Sequence, residues 1–413
     1  MYLYSFEFQA FLPTDDDDSS RRLSSTEIVE QTSSTSFFPF IDSSTPHQCK
    51  KNAIVYLAQK KHSTYQRNSL ELLERLLQLL HSNYLLLHGH HENVNVFIFH
   101  EGDFDTSDIV LLEASQVKGL VHLVNLTSTP FWQLPDHLRR DDPTTWKGAR
   151  EYQLGYRHMM RWYAVKLWDF FEELNQHHAC QYDYIMRMDE ESYIHSVISY
   201  DLFDHMVLQG YEYAFRQCSY EMGSVRQVWV DYTKANPQVV PLRTFTAERS
   251  CGFYNNFFIA RLSFFKSDPV QHFLTFVDQG GYMYRQRVND LVLQTAAVYA
   301  FLPTEKIHRF LDFTYEHFTL EKSGCPRWGG IQQGYEDPNG RDRIMEWAET
   351  NVHQKKCPVQ TPGVDFKVRV VEMRADDLSP SYQHLPSLLK EELVVLQVAA
   401  GLIDLQGKGL LSG

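Results

Sequence analysis

Several common signatures are missing from this sequence, and each absence closes a door. No CxxC pair occurs among the six cysteines at 49, 180, 218, 251, 325 and 357, which argues against a zinc ribbon or a thioredoxin-like motif. Their scatter leaves two states open, reduced thiols or up to three disulfides. GxSxG, GxxxxGK[ST] and HExxH are all absent, so serine hydrolase, P-loop NTPase and zincin readings have no support. A membrane-crossing helix needs roughly 20 mostly apolar residues. The best stretch, residues 393–405, is too short and is interrupted by Gln397, Gly401 and Asp404. The first residues carry no basic segment ahead of an apolar one, so no signal peptide is visible; by itself this reads as soluble and cytosolic. Basic excess is lacking too. Lys plus Arg total 39 against 52 Asp plus Glu, a formal charge of −13, which argues against a general nucleic-acid binder.

What is present describes a globular protein. The chain has 413 residues, 43% of them apolar and 22% charged, enough to bury a core of one large domain or two ordinary ones. The 23 Tyr and 27 Phe suit clefts that stack on sugars or bases, and equally suit ordinary cores. A single N-x-[ST] sequon, at Asn125-Leu126-Thr127, is weak evidence for secretion.

Residues 1–48 read as a disordered or linker tail, with an acidic run at 15–18 and Ser/Thr clusters. Residues 49–360 read as one folded domain and 361–413 as a peripheral extension, with a strand at 366–371 and a helix at 386–405. Within the domain, 52–57 is a buried strand, and Ser63-x-x-Gln66 suits a capping box. Leu73, Leu76, Leu77 and Leu80 mark a helix over 64–82. Strands are expected at 94–99, 119–124, 182–188, 211–215 and 255–259, and helices at 151–174, 269–279 and 288–301. Residues 130–150 read as a polar connection. Along 151–174, Tyr156, Met160, Tyr163, Leu167 and Phe171 share one helical face, with Arg157, Arg161 and Trp168 beside it. The β-α-β order at the start predicts an α/β sheet with a nucleotide-type crevice at the strand C-termini.

Chemistry is concentrated in Arg187-Met188-Asp189-Glu190-Glu191, which follows an apolar strand directly. In extended geometry Asp189 and Glu191 point the same way. Hard oxygen ligands at a strand end suit Mg²⁺ or Mn²⁺ gripping a diphosphate; a solvated acidic turn is the plainer alternative. Arg157 and Arg161, four apart on one helix, suit phosphate contacts or ion pairs with neighbouring acids. Asp290 opens the 288–301 helix, where it or Asn289 could equally be an N-cap. Tyr220-Glu221 could meet a sugar hydroxyl, or have no role at all. His88, His90 and His91 read as a solvated loop in preference to a zinc site.

In order along the chain, GYRHMMRWYA at 155–164, YDYIMRMDEESY at 182–193, YDLF at 200–203, SYE at 219–221, Cys251 with Asn256-Phe257, SFFKSDP at 263–269, GGYMYRQRVND at 280–290, AFLP at 300–303, Tyr315 with His317, and Cys325-Pro326 resemble the fungal α-1,2-mannosyltransferases of glycosyltransferase family 15. The resemblance implies an α/β, GT-A-like single large domain, with a mixed, mostly parallel sheet flanked by helices. It also implies a GDP-mannose donor, a glycan or glycoprotein acceptor, Mn²⁺, retention at the transferred sugar, and a Golgi enzyme held by an N-terminal membrane anchor. Carried over position by position, Asp189 stands at the family's metal-binding acid, with Glu191 close by. Arg157, Arg161, Arg187 and Tyr220 become candidates for donor binding, and Glu221 and Asp290 for the sugar.

Two positions depart from the family pattern. Phe258 stands where the family has a glutamate proposed as nucleophile, and Gln294 where it has a histidine metal ligand. Phe258 can be neither nucleophile nor base. The expectation is therefore a same-face substitution, in which the acceptor attacks from the side the diphosphate leaves. A non-catalytic sugar- or nucleotide-binding relative, or an enzyme using another nucleotide sugar, remains the alternative.

Overall fold

A computed structural model describes residues 51–62, 67–114, 121–150, 152–177, 181–219, 222–243 and 252–317, with 331–332, 334, 337, 339 and 340. The expected tail, the 63–66 capping box and the two C-terminal elements lie outside these residues. So do Tyr220 and Glu221, and the side chains of the cysteines and of His88, His90 and His91.

Strands are β1 (Asn52–Leu57), β2 (Lys61–His62), β3 (Arg67–Asn68), β4 (Val94–His100), β5 (Val121–Asn125), β6 (Tyr184–Met188), β7 (Ser192–Ile194), β8 (Tyr213–Ser219), β9 (Gly252–Arg261), β10 (Ile307–Arg309), β11 (Tyr315–His317) and β12 (Ile331–Gln332). Helices are α1 (Ser69–Leu80), α2 (Thr106–Ala114), α3 (Leu154–Arg161), α4 (Leu167–His177), α5 (Leu202–Gln209), α6 (Val225–Ala235), α7 (Leu262–Phe265), α8 (Asp268–Gln279), α9 (Tyr282–Arg285) and α10 (Asp290–Phe301). Seven strands form the main sheet in the order β10-β8-β9-β6-β1-β4-β5. Only β9 runs against its neighbours; the other pairings are parallel. A smaller antiparallel sheet, β12-β11-β7, stands beside it.

The inner strands are apolar on both faces because both faces are covered, as in parallel sheets flanked by helices. Side chains alternate between two cores. Ala53, Val55, Phe97, Phe99, Ile185 and Phe258 enter the one built with α4, α8 and α10. Ile54, Tyr56, Val96, Ile98, Met186 and Phe257 enter the other, with α1 and α5. The leucine stripe of α1 is buried as its spacing predicts: Leu73, Leu76, Leu77 and Leu80 all pack inward, each contributing roughly 1.5–3 kcal/mol.

The expected long helix is three pieces: α3, a π-helical turn at Trp162–Lys166, and α4. Hydrogen-bond spacing changes at the π turn, so a single 3.6-residue period does not run through the segment. The connection at 130–150 is less polar in effect than in composition, since Phe131, Trp132, Leu138 and Trp146 are buried. Among the described residues no helix is long and apolar enough to cross a membrane.

Candidate active site

β1 pairs with β4 on one side and β6 on the other. That reversal is a topological switch point, where open α/β sheets leave a crevice beyond the strand C-termini. β6 ends at Met188, so the first residue past the lip is Asp189. A turn closes there, with Ser192 N donating to the Asp189 carbonyl at 3.0 Å, while Asp189 N donates to the carbonyl of Asn256 on β9 at 3.2 Å. From the end of β1, Gln59 donates twice to the Glu190 carboxylate, from N at 2.8 Å and from Nε2 at 3.2 Å. Burial and then the neighbouring Glu191 push the Glu190 carboxyl up to about 8. Glu191 is itself buried.

Arg187 organises the acids. It donates from Nη1 to Asp290 Oδ2 at 2.6 Å, and from Nε and Nη2 to Asp189 Oδ1 at 3.0 and 2.9 Å. Its Cζ lies 3.3 Å from the centroid of the Tyr163 ring, on the π turn, a cation–π contact shielded from water. Burial works against its charge, but Asp189, Tyr163 and Asp290 together hold its pKa above the ordinary value. The N-cap question at α10 is settled by role. Asn289 caps the helix, its Oδ1 accepting from Val292 N at 3.1 Å. Asp290 is thereby left to accept from Arg187 and, at 2.5 Å, from Asn255 Nδ2. Burial raises the Asp290 carboxyl, and Arg187 opposes that.

The structure brings Asp189, Arg187 and Asp290 into one ion triad. Gln294, one turn further along α10, is fully buried and donates from Nε2 to the Tyr163 carbonyl at 2.9 Å. Its Oε1 is buried with no hydrogen-bond partner. Phe258 lies across the strand pair from Arg187, fully buried, its ring against Tyr213 at 5.9 Å and Trp168 at 6.0 Å.

The two helical arginines have their donors engaged within the fold. Arg157 is buried and gives its guanidinium to three carbonyls: Tyr152 at 3.1 Å, Lys147 at 2.7 Å, and Tyr284. Burial lowers its pKa to about 10. Arg161 grips both oxygens of Asp278 at 2.8 and 2.9 Å and the Gln133 carbonyl at 2.9 Å. Backbone carbonyls and the largely buried Asp278 already occupy these donors, so in this structure both side chains brace the frame. Sequence reasoning missed Tyr163 and Asn255 as neighbours of the acids. Only the π turn and a bulge in β9, neither visible as periodicity, put them there.

The profile of the family described as glycolipid 2-alpha-mannosyltransferase matches residues 104–360. A probable mannosyltransferase, MNT3 of Candida albicans, is 30% identical over 183 residues, 42% of this chain and 46% of that protein. The glycolipid 2-alpha-mannosyltransferase of Saccharomyces cerevisiae is 28% identical over 187 residues, 41% of this chain and 40% of that protein. The chain thus spans less than half the length of these curated relatives. Two solved structures share the fold. The mannosyltransferase Ktr4p from S. cerevisiae in complex with GDP has a TM-score of 0.52 at 18% identity, covering 67% of this chain and 73% of its own. Core-mannan synthase A from Aspergillus fumigatus in its Mn/GDP form has a TM-score of 0.53 at 18% identity, covering 68% and 77%. With a GT-A-like sheet, an acidic turn at its switch point and a family match over more than half its residues, this chain belongs to the glycolipid 2-alpha-mannosyltransferase family, glycosyltransferase family 15.

Proposed function

We propose that this chain moves a mannosyl group from GDP-mannose to a glycan hydroxyl with retention of configuration, assisted by a divalent ion such as Mn²⁺. The observation that carries the reading is the Asp189 carboxylate at the switch point between β1 and β6, in a chain of this family. The GDP in the Ktr4p structure and the Mn/GDP in core-mannan synthase A support the same nucleotide here.

The residues present fit such an ion. Asp189 is a hard oxygen donor, its side chain 27% exposed, and both Arg187 contacts fall on Oδ1. When bound, the ion neutralises charge developing on the departing diphosphate. The chain's own part is orientation. Arg187 fixes Asp189 against Asp290 and Asn255, so the acidic lip needs little rearrangement when substrate arrives. Phe258, in an apolar shell, supplies no nucleophile. The acceptor hydroxyl then attacks from the face the diphosphate leaves, and the leaving phosphate oxygen takes its proton. Glu221 and Tyr220 remain candidates for contacts with the sugar and donor. A Golgi location and a membrane anchor, which the family resemblance implies, belong to the same proposal.

A second reading, a non-catalytic nucleotide-sugar binder, is favoured by one observation: Phe258 and Gln294 are both core residues. Incubation with GDP-mannose, Mn²⁺ and α-mannoside acceptors separates the two. Transfer that Asp189→Ala abolishes supports the enzyme, and tight donor binding without turnover supports the binder. A trapped glycosyl–enzyme ester in the mass spectrum would overturn same-face substitution.

A further inference from the structure

Arg287, three residues before Asp290, is the one non-glycine position among the described residues with a positive φ, +54°. A left-handed backbone is unfavourable for any residue with a Cβ, and such residues gather at ligand clamps. In this conformation the guanidinium lies over the Tyr152 ring, with Cζ 3.6 Å from its centroid and 5.8 Å from that of Tyr156. The two rings are neighbours, 4.9 Å apart, and form a cation–π platform. The turn at 146–150 closes over the arginine stem, since a Cβ on Gly148 would lie 4.0 Å from Arg287 Cδ. Nε is buried with no hydrogen-bond partner, while the residue as a whole stays half-exposed.

The charge of Arg287 is not neutralised. Among the described residues no carboxylate forms an ion pair with it, whereas Arg285 beside it is paired with Asp141 at 2.7 Å. Asp290 belongs to Arg187. Asp142 faces Thr144, whose N and Oγ1 donate to it at 2.9 and 2.8 Å. Arg157 lies close to Arg287: after burial, the field of Arg287 is the next cause that lowers its pKa. Arg157 spends its donors on three neutral carbonyls, so its charge also lacks a counter-charge. Lys147 and Arg150, exposed on the 146–150 turn, carry the same sign. In a chain of net charge −13, this is a local positive field that suits an anion.

Asp290 separates that field from the acidic turn. Tyr163, raised first by burial, lies in the fields of Arg187, Asp189 and Asp290. Tyr156, pushed up to about 12 by burial first, lies in those of Arg287 and Asp290. The order along the crevice is therefore Asp189, Asp290, Arg287. With the diphosphate at Asp189 and the sugar at Asp290, Arg287 stands beyond the sugar, where the second substrate is met. We infer that Arg287, on its tyrosine platform, is a specificity residue that binds a phosphate group carried by the acceptor, so that the acceptor is a phosphate-bearing mannoside. A guanidinium matches phosphate with paired N–H donors, and its charge offsets the repulsion that the acidic lip exerts on such a substrate. The inference rests on the transferase reading and names its acceptor class.

The probes are methyl α-mannoside and methyl α-mannoside 6-phosphate, both with a free 2-hydroxyl, offered to the full chain with GDP-mannose and Mn²⁺. The 6-phosphate should have a kcat/KM about tenfold higher, through a lower acceptor KM, and the advantage should shrink as salt rises. Arg287→Gly, which suits the positive φ, should bring the two acceptors to equal kcat/KM. Arg287→Lys should keep part of the preference. Circular dichroism checks folding, and Arg287→Gln is the second variant should glycine alter it. Calorimetric titration of each mannoside into the chain with GDP and Mn²⁺ reads binding apart from turnover. Transfer to the neutral mannoside with no preference for the 6-phosphate overturns the inference and leaves the transferase reading standing. A raised donor KM in the variants, with the preference intact, also overturns it and hands Arg287 to the nucleotide diphosphate. No transfer to either mannoside counts against the transferase reading. In that case 6-phosphate binding that Arg287→Gly abolishes still supports the inference, and equal or absent binding of the two probes overturns it.

Discussion

Asp189 and Asp290 share one arginine but differ in exposure, and that difference separates structure from chemistry. Asp290 is buried between Arg187 and Asn255. Asp290→Ala leaves a buried guanidinium short of a partner, and breaking such a pair costs about 3–5 kcal/mol. Asp189 is partly exposed and accepts at one oxygen, so Asp189→Ala should lower stability by about 1–2 kcal/mol while removing Mn²⁺-dependent turnover. Urea unfolding beside a transfer assay checks the contrast. A larger stability loss for Asp189→Ala would contradict this division of roles. At this scale the sequence was half legible. Three acids after an apolar strand marked a candidate site, because that pattern is local. What surrounds their arginine was not announced, because Asn255, which meets Asp290, and Tyr163, which lies under Arg187, come from elements far apart in the chain.

At the scale of elements, α3, the π turn and α4 show what periodicity can and cannot reveal. Its apolar face was readable, and Tyr156, Met160, Tyr163, Leu167 and Phe171 are all buried. The role of its arginines was left open, because an arginine on a helix looks the same in sequence whether it meets phosphate, acid or carbonyl. Arg157 ties α3 to the Tyr152, Lys147 and Tyr284 carbonyls. Lysine has a single nitrogen and cannot reach all three, so Arg157→Lys should orphan at least one buried carbonyl and cost about 1–3 kcal/mol. The urea midpoint should fall accordingly, with the KM for donor unchanged. A raised KM at unaltered stability would return Arg157 to the donor site.

Across the whole molecule, the sheet's parallel half followed from the β-α-β order, whereas the reversed strand β9 and the small β7-β11-β12 sheet did not. Reversal and cross-chain pairing leave no mark on hydrophobic spacing. A further whole-molecule property sits away from the crevice. Burial and then His205, whose ring lies 4.9 Å away, hold His308 down at about 3, and Tyr211 and Phe310 pack on it. The unfolded chain therefore takes up a proton near pH 6.5 that the folded one refuses until about 3, so stability falls as pH drops through that window. This histidine alone should remove about 2 kcal/mol between pH 7 and pH 5. His308→Phe keeps an aromatic ring there and should show a shallower loss over the same interval in guanidinium unfolding. Equal slopes would refute the assignment.

The register of β9 has one more consequence. Phe258 pairs with Phe215 and Tyr254 with Gln217, so β9 advances four residues where β8 advances two. The surplus lets adjacent asparagines serve opposite neighbours, Asn255 reaching Asp290 by its side chain and Asn256 holding the Asp189 turn by its carbonyl. Trimming the surplus would restore strict alternation and detach one of the two. The irregular patch therefore ties the start of α10 and the acidic turn to one short stretch of strand, so a change there displaces both together.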